Sequence, residues 1–280
     1  MALERVELPK LVIKPSSGWV PLDLMDLWRY RELVYFMTWR DLTVRYKQTL
    51  LGVCWAVLRP LLTMVVFSIF FGGLAKVPSD GVPYPIFTFT ALLPWELFAT
   101  ALTIASRSLV LNSNMITKVY FPRIILPISS ILGGVADFGI AFLVMICMMI
   151  FYHFAPTVNI WVLPFLLILT IISAIGVSLW LSAMNVLYRD VGYVTPFIQQ
   201  LWLYITPIAY PASLVPEKWQ LLYAINPMTG VVEGFRWALL GTTPNAPVGL
   251  LLTSTVVSLI LLFTGLFYFR RMERLFADMV

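Results

Sequence analysis

Long apolar runs, each close to the length of a bilayer crossing, constrain this chain more than any other feature. A helix needs about 20 predominantly apolar residues to cross the hydrocarbon core. Six stretches meet or approach that length: Leu50–Leu74, Tyr84–Ser106, Ile124–Tyr152, Trp161–Leu187, Tyr193–Ala212 and Ala246–Phe269. The charged residues inside them are Arg59, Glu96 and Asp137. Backbone polar groups in lipid must be satisfied within the span itself. The runs therefore predict an all-α integral membrane fold with six transmembrane helices. Composition agrees, with 12% charged residues against about 25% in a soluble globular protein.

The segments around the spans are read from composition and charge. Residues 1–21, rich in proline, form a cytoplasmic arm without the apolar core of a cleaved signal. Residues 22–49 form an amphipathic interface helix, with Asp23 placed to cap it and Trp28, Tyr35, Phe36 and Trp39 suited to the membrane surface. Tyr30, Leu33, Met37 and Val44 would share one face, which Arg40 interrupts. Residues 50–269 form the membrane domain and 270–280 a cytoplasmic tail. Leu221–Gly241 is long and fairly apolar, yet Pro227, Gly230, Glu233, Gly234 and Arg236 argue against a seventh span. With six spans and the N-terminus inside, 16 of the 19 Lys and Arg residues are cytoplasmic, as the positive-inside bias requires. A seventh span would send Arg270, Arg271 and Arg274 outside. We therefore read the stretch before the last span as two short re-entrant external helices. The net charge of +5 orients spans and meets anionic lipid; nucleic acid is not an expected partner.

The chemistry of an enzyme is missing from the pattern. His153, the one histidine, lies at a span end without a Ser/His/Asp set, and no metal-ligand spacing occurs. Cys54 and Cys147 lie in apolar runs and read as buried free thiols. No G-x-x-x-x-G-K-[ST] phosphate loop is present. A chain like this can do work only on energy that another chain supplies. Glu96 and Asp137 are costly in lipid and face protein or water. They admit two readings, a proton relay or neutral or paired carboxyls that hold helices together. Aromatic residues are 15% of the chain. They admit a lipid-facing belt or faces that stack on sugar rings. The basic stretch NSNMITKVYFPRIILP, Asn112–Pro127, is the one polar interruption in the middle of the chain and reads as a cytoplasmic loop.

Five stretches together resemble the membrane subunit of ABC-2-type polysaccharide exporters, the O-antigen, capsule and teichoic acid permeases. They are TWRDLTVRYKQTLLGVCWAVLRPL (38–61), LLPWELF (92–98), NSNMITKVYFPR (112–123), NVLYRDVGYVTPFIQQLWLYITPIAYP (185–211) and NPMTGVVEGFRWALLG (226–241). The resemblance implies a homodimer in the bacterial inner membrane, with both termini cytoplasmic. It also implies two copies of a separate ATP-binding cassette subunit that holds ATP and Mg, this chain binding no cofactor. The implied substrate is a glycan on undecaprenyl diphosphate, O-antigen-like, with capsular polysaccharide or teichoic acid as alternatives. A secondary transporter would instead show internal repeats, and the two halves of this sequence do not resemble each other.

Roles for residues follow from the resemblance. The loop from Arg107 through Asn112, Asn114 and Lys118 to Arg123 would take the push of the ATPase. Arg189 and Asp190 would form a second contact or cap their turn. Leu51 and Gly52 match a loop at the cytoplasmic entrance. Trp55, Phe67, Phe87, Trp95 and Tyr204 would line the channel. Asn226, Pro227, Glu233 and Arg236 would form an external gate. Arg40, Arg45, Lys47 and Arg59 crowd the entrance, where guanidinium groups suit a diphosphate; plain positive-inside orientation is the competing account.

Overall fold

The computed structural model describes residues 28–47, 52, 54–243 and 245–279. The expected arm 1–21, the start of the interface helix with Asp23, and Leu51 lie outside these. Among the described residues the only regular structure is helix, and there are no strands. Five helical stretches are long and apolar enough to cross a membrane: Cys54–Leu74, Tyr84–Leu111, Ile125–Phe151, Val158–Leu187 and Val248–Leu275.

In chain order the elements begin with α1 (Arg31–Lys47) and α2 (Cys54–Phe67), which runs on as a π-helical turn over Ser68–Leu74. α3 (Tyr84–Leu111) leads through α4 (Ser113–Lys118) to α5 (Ile125–Phe151). A 3-10 turn, Val158–Val162, opens α6 (Leu163–Leu187), and α7 is Val191–Ile205. The short helices α8 (Glu217–Tyr223) and α9 (Pro227–Leu240) precede α10 (Val248–Met272); a 3-10 turn, Glu273–Leu275, then leads to α11 (Phe276–Met279).

Helix α3 is the axis of the bundle. Its most apolar window is 83% buried, against 17% for α2 and for α10 and 22% for α5. It packs on α5, α6, α9 and α2 and runs unbroken through Pro94. Small residues bring other helices together. A Cβ on Gly265 would lie 2.5 Å from the Gly176 carbonyl oxygen, so α6 and α10 cross backbone against backbone. Near that crossing the Ser173 and Ser258 hydroxyls pair at 2.7 Å.

The expected fifth span meets a shorter helix. At 15 residues α7 is about 22 Å long at 1.5 Å per residue, short of a hydrocarbon core of about 30 Å. Helix geometry stops at Ile205, where Pro207 and Pro211 withhold backbone donors. The two short helices that follow correspond to the pair read between that run and the last span. Cys54 and Cys147 are free, as expected, but exposed on helix surfaces rather than buried. Both belong to helices whose apolar residues face outward, so hydrophobicity there does not mean core.

α1 lies against α5. Met37 is buried, Tyr30, Leu33 and Val34 pack around it, and Val44 is exposed rather than on that face. Tyr35, Phe36 and Trp39 point away from the bundle, the arrangement a surface-lying helix requires.

Candidate functional site

A cavity of about 1020 Å³ lies between α2, α3, α5 and α7, with the end of α1 beside it. Two arginine–carboxylate pairs face it. Arg45 of α1 donates to the Asp137 carboxylate of α5, which also accepts from the Tyr46 hydroxyl. Arg59 of α2 lies 3.6 Å from the Glu96 carboxylate of α3. That separation is an ion pair without a hydrogen bond, and the Arg59 side chain is 60% exposed. Each pair bridges two helices, so the acids are paired groups in this state. Gly52, Trp55, Trp95 and Phe138 contribute further wall, and Thr100, Thr103, Gln199 and Gln200 add uncharged polar groups.

The structure divides the other expected entrance and channel residues. Arg40 turns away from the cavity: it donates to Asp41 at 2.8 Å and to Asn112 at 3.1 Å. Lys47 lines a separate small recess with Trp39 and Tyr46. Phe67 and Phe87 are buried in the core, and Tyr204 is exposed outside the cavity. Trp55 and Trp95 both touch the cavity, Trp55 half exposed and Trp95 packed tightly behind.

The expected external-gate residues form a buried clamp. Arg236 has no exposed surface and pairs with Glu233 at 2.9 Å. Its guanidinium also donates to the carbonyls of Ile208 (2.8 Å) and Tyr210 (3.3 Å) and lies 3.6 Å from the Phe87 ring centroid. Glu233 accepts from the Ala212 amide at 3.0 Å. Asn226 caps α9 by accepting from the Met228 amide at 3.0 Å, donates to Thr206 at 3.0 Å and accepts from Trp202 at 2.9 Å. Pro227 occupies the first turn, where its missing donor costs nothing. Four of these bonds, to Thr206, Ile208, Tyr210 and Ala212, end on the non-helical residues 206–212. Arg236 thereby satisfies two carbonyls that the broken helix leaves free. Nearby, burial raises the Tyr223 phenol above its ordinary range, and the Tyr210 hydroxyl 2.7 Å away adds to that.

At the opposite end, α3 and the turn before α7 are locked together. Arg107 donates to the Gly192 carbonyl at 3.1 Å and lies over the Tyr193 ring. Asn185 links Ser106 to Gly192 with bonds of 2.9 and 2.8 Å. Arg189 and Asp190 are exposed on this turn. In the basic loop Ile116 anchors α4 in the core, while Asn114, Lys118 and Tyr120 are exposed. Arg123 is engaged by the tail: its amide donates to Glu273 at 3.1 Å, and its guanidinium donates to the Glu273 carbonyl. Phe276, fully buried, seats the tail against Phe269 at 5.2 Å between ring centroids. Composition and charge mark 270–280 only as a basic tail. The available signal was Phe269 and Phe276, seven residues apart on one helical face.

Comparison with known proteins decides the family. The model of the ABC-2 type transporter family matches residues 32–240. The chain belongs to the ABC-2 type transporter family. It is similar to the O-antigen export system permease protein RfbA of Klebsiella pneumoniae, 29% identical over 250 residues, covering 89% of this chain and 95% of that protein. The RfbA permease of Myxococcus xanthus is 28% identical over 214 residues, 75% of this chain and 81% of that protein. The polysialic acid transport protein KpsM of Escherichia coli is 23% identical over 240 residues, covering 84% and 91%. The matched region of this ABC-2 chain contains the cavity, the clamp and the basic loop.

Proposed function

We propose that this ABC-2 chain is the membrane subunit of an ATP-driven exporter of a polyprenyl-diphosphate-linked, O-antigen-like polysaccharide. It acts as a homodimer in the bacterial inner membrane, with six spans, short re-entrant external helices and cytoplasmic termini. Two copies of an ATP-binding cassette subunit supply the energy, with ATP and Mg held on those partners. The observation that carries the reading is the cavity. It places two arginines and two tryptophans at the depth of the spans, in a chain whose relatives over nine-tenths of its length are named O-antigen export permeases. Guanidinium groups recognise phosphate oxygens in fork geometry, and Arg59 is the more loosely held of the two. In this reading Arg59 and Arg45 receive the diphosphate headgroup at the entrance, and the aromatic wall carries the sugar.

Energy enters at the basic end. Lys118, Asn114 and the 189–190 turn form an exposed surface. Arg107 and Arg123 lie beneath it and transmit displacement, Arg107 to α7 and Arg123 to the 3-10 turn that follows α10. The test is copurification with an ATPase encoded beside this chain, whose turnover depends on it. Lys118→Glu is expected to uncouple hydrolysis from export while leaving insertion intact. An active chain that neither binds nor needs an ATPase contradicts the reading.

A further inference from the structure

The cavity is electrically balanced, and its remaining polar groups are uncharged. Its ionisable lining side chains are Arg45, Arg59, Glu96 and Asp137, apart from the Tyr46 phenol, and each arginine has its own carboxylate. The lining carries no net charge to draw a polyanion or a polycation along its length. In the same cavity Thr103 donates to the Gln199 carbonyl oxygen at 2.5 Å. That bond fixes the Gln199 side chain and leaves its amide hydrogens available. Gln200 sits beside it on α7, exposed, and Thr100 lies one turn before Thr103 on α3. Among the described residues neither the Gln199 amide nitrogen nor the Gln200 side chain makes a hydrogen bond. Amides are costly at span depth unless water or a ligand satisfies them. In the same lining Trp55 and Phe138 offer flat apolar surface.

We infer that Gln199, Gln200, Thr100 and Thr103 form a subsite for the hydroxyl groups of an uncharged glycan, and that the cavity selects neutral over polyanionic polysaccharide. This inference rests on the exporter reading and deepens it. An amide offers a donor and an acceptor at one point, which matches a sugar hydroxyl. A chain bearing a carboxylate on every sugar would meet Glu96 and Asp137, and with the two arginines serving one diphosphate headgroup it would find no further cation in the lining. Selection against it is electrostatic, by like charge in a partly desolvated site.

The experiment uses the permease–ATPase complex in nanodiscs and reads quenching of tryptophan fluorescence by three ligands. They are undecaprenyl diphosphate without sugar, the same lipid carrying an uncharged hexose oligomer, and the same lipid carrying an oligosialic acid of equal length. The wild type is expected to bind the uncharged glycolipid more tightly than the sialylated one. Gln199→Leu and Gln200→Leu should each weaken uncharged glycolipid binding about fivefold, and the bare lipid should bind as before. Glu96→Gln, which leaves the cavity one positive charge in excess, should narrow the gap between the two glycolipids. Equal or tighter binding of the sialylated lipid by wild type overturns the inference, as does unchanged binding of the uncharged glycolipid by both leucine variants. In both cases, retained binding of the bare lipid diphosphate leaves the exporter reading standing. Failure of all three ligands to bind overturns both.

Discussion

Two arginine–carboxylate sites along α3, one at its first turns beside Phe87 and one at mid-helix on Glu96, use the same chemistry for different ends. In the clamp, Arg236 and Glu233 are three residues apart on one helix, and Arg236 has no exposed surface. Two backbone carbonyls, a backbone amide and the face of Phe87 complete the shell. In the cavity, Arg59 and Glu96 come from different helices, 3.6 Å apart and short of a hydrogen bond, with Arg59 largely exposed. A fully satisfied buried pair is costly to break, because the surviving partner is left as an unpaired buried charge. A loose, exposed pair contributes little to stability and is free to exchange its partner for a ligand. Saturation of the donors, rather than the presence of an arginine, separates a structural site from a receptive one.

The largest expected effect comes from breaking the clamp. Arg236→Ala should destabilise the chain by about 3–5 kcal/mol, read as loss of monodisperse protein after detergent extraction or a large drop in Tm. Next is crowding beside the clamp. A Cβ at Gly230 would lie 2.6 Å from the Leu250 carbonyl oxygen, so Gly230→Ala should cost about 1–3 kcal/mol in the same unfolding assay. Arg59→Ala should do the reverse of Arg236→Ala: stability changes by at most about 1 kcal/mol, while export falls severalfold. A smaller effect is expected at the tail, where Glu273→Ala removes the acceptor for the Arg123 amide. It should lower stability by about 1 kcal/mol and raise the proteolysis rate of residues after Met272.

Much of this contrast was legible in the sequence only in part. The apolar runs located five long helices because length and hydropathy are local properties. The proline, glycine and charges of the 221–241 stretch mark it as something other than a span, and the end of α8 and all of α9 occupy it. The break at Ile205 was foreshadowed by Pro207 and Pro211, yet the run was still read to Ala212, since apolar composition continues past the point where helix geometry fails. Glu96 and Asp137 stood out as intramembrane acids. Their partners, Arg59 and Arg45, depend on helix rotation and packing that composition does not encode. The same limit explains Phe67 and Phe87: an aromatic side chain in a span reads alike whether it faces a cavity, lipid or the core. Glu233 and Arg236 stand out in the sequence as charges that argue against a span, and their gate role is implied only by the resemblance. Their satisfied shell is a tertiary property, built from carbonyls of residues 208 and 210.

The most direct test compares Arg59→Gln and Arg236→Gln side by side, measuring Tm and glycolipid-stimulated ATP hydrolysis of the reconstituted complex. The account predicts that Arg59→Gln melts like wild type and loses stimulation, whereas Arg236→Gln loses the folded complex itself. Full stimulation in Arg59→Gln, or a stable Arg236→Gln complex with wild-type Tm, would contradict it.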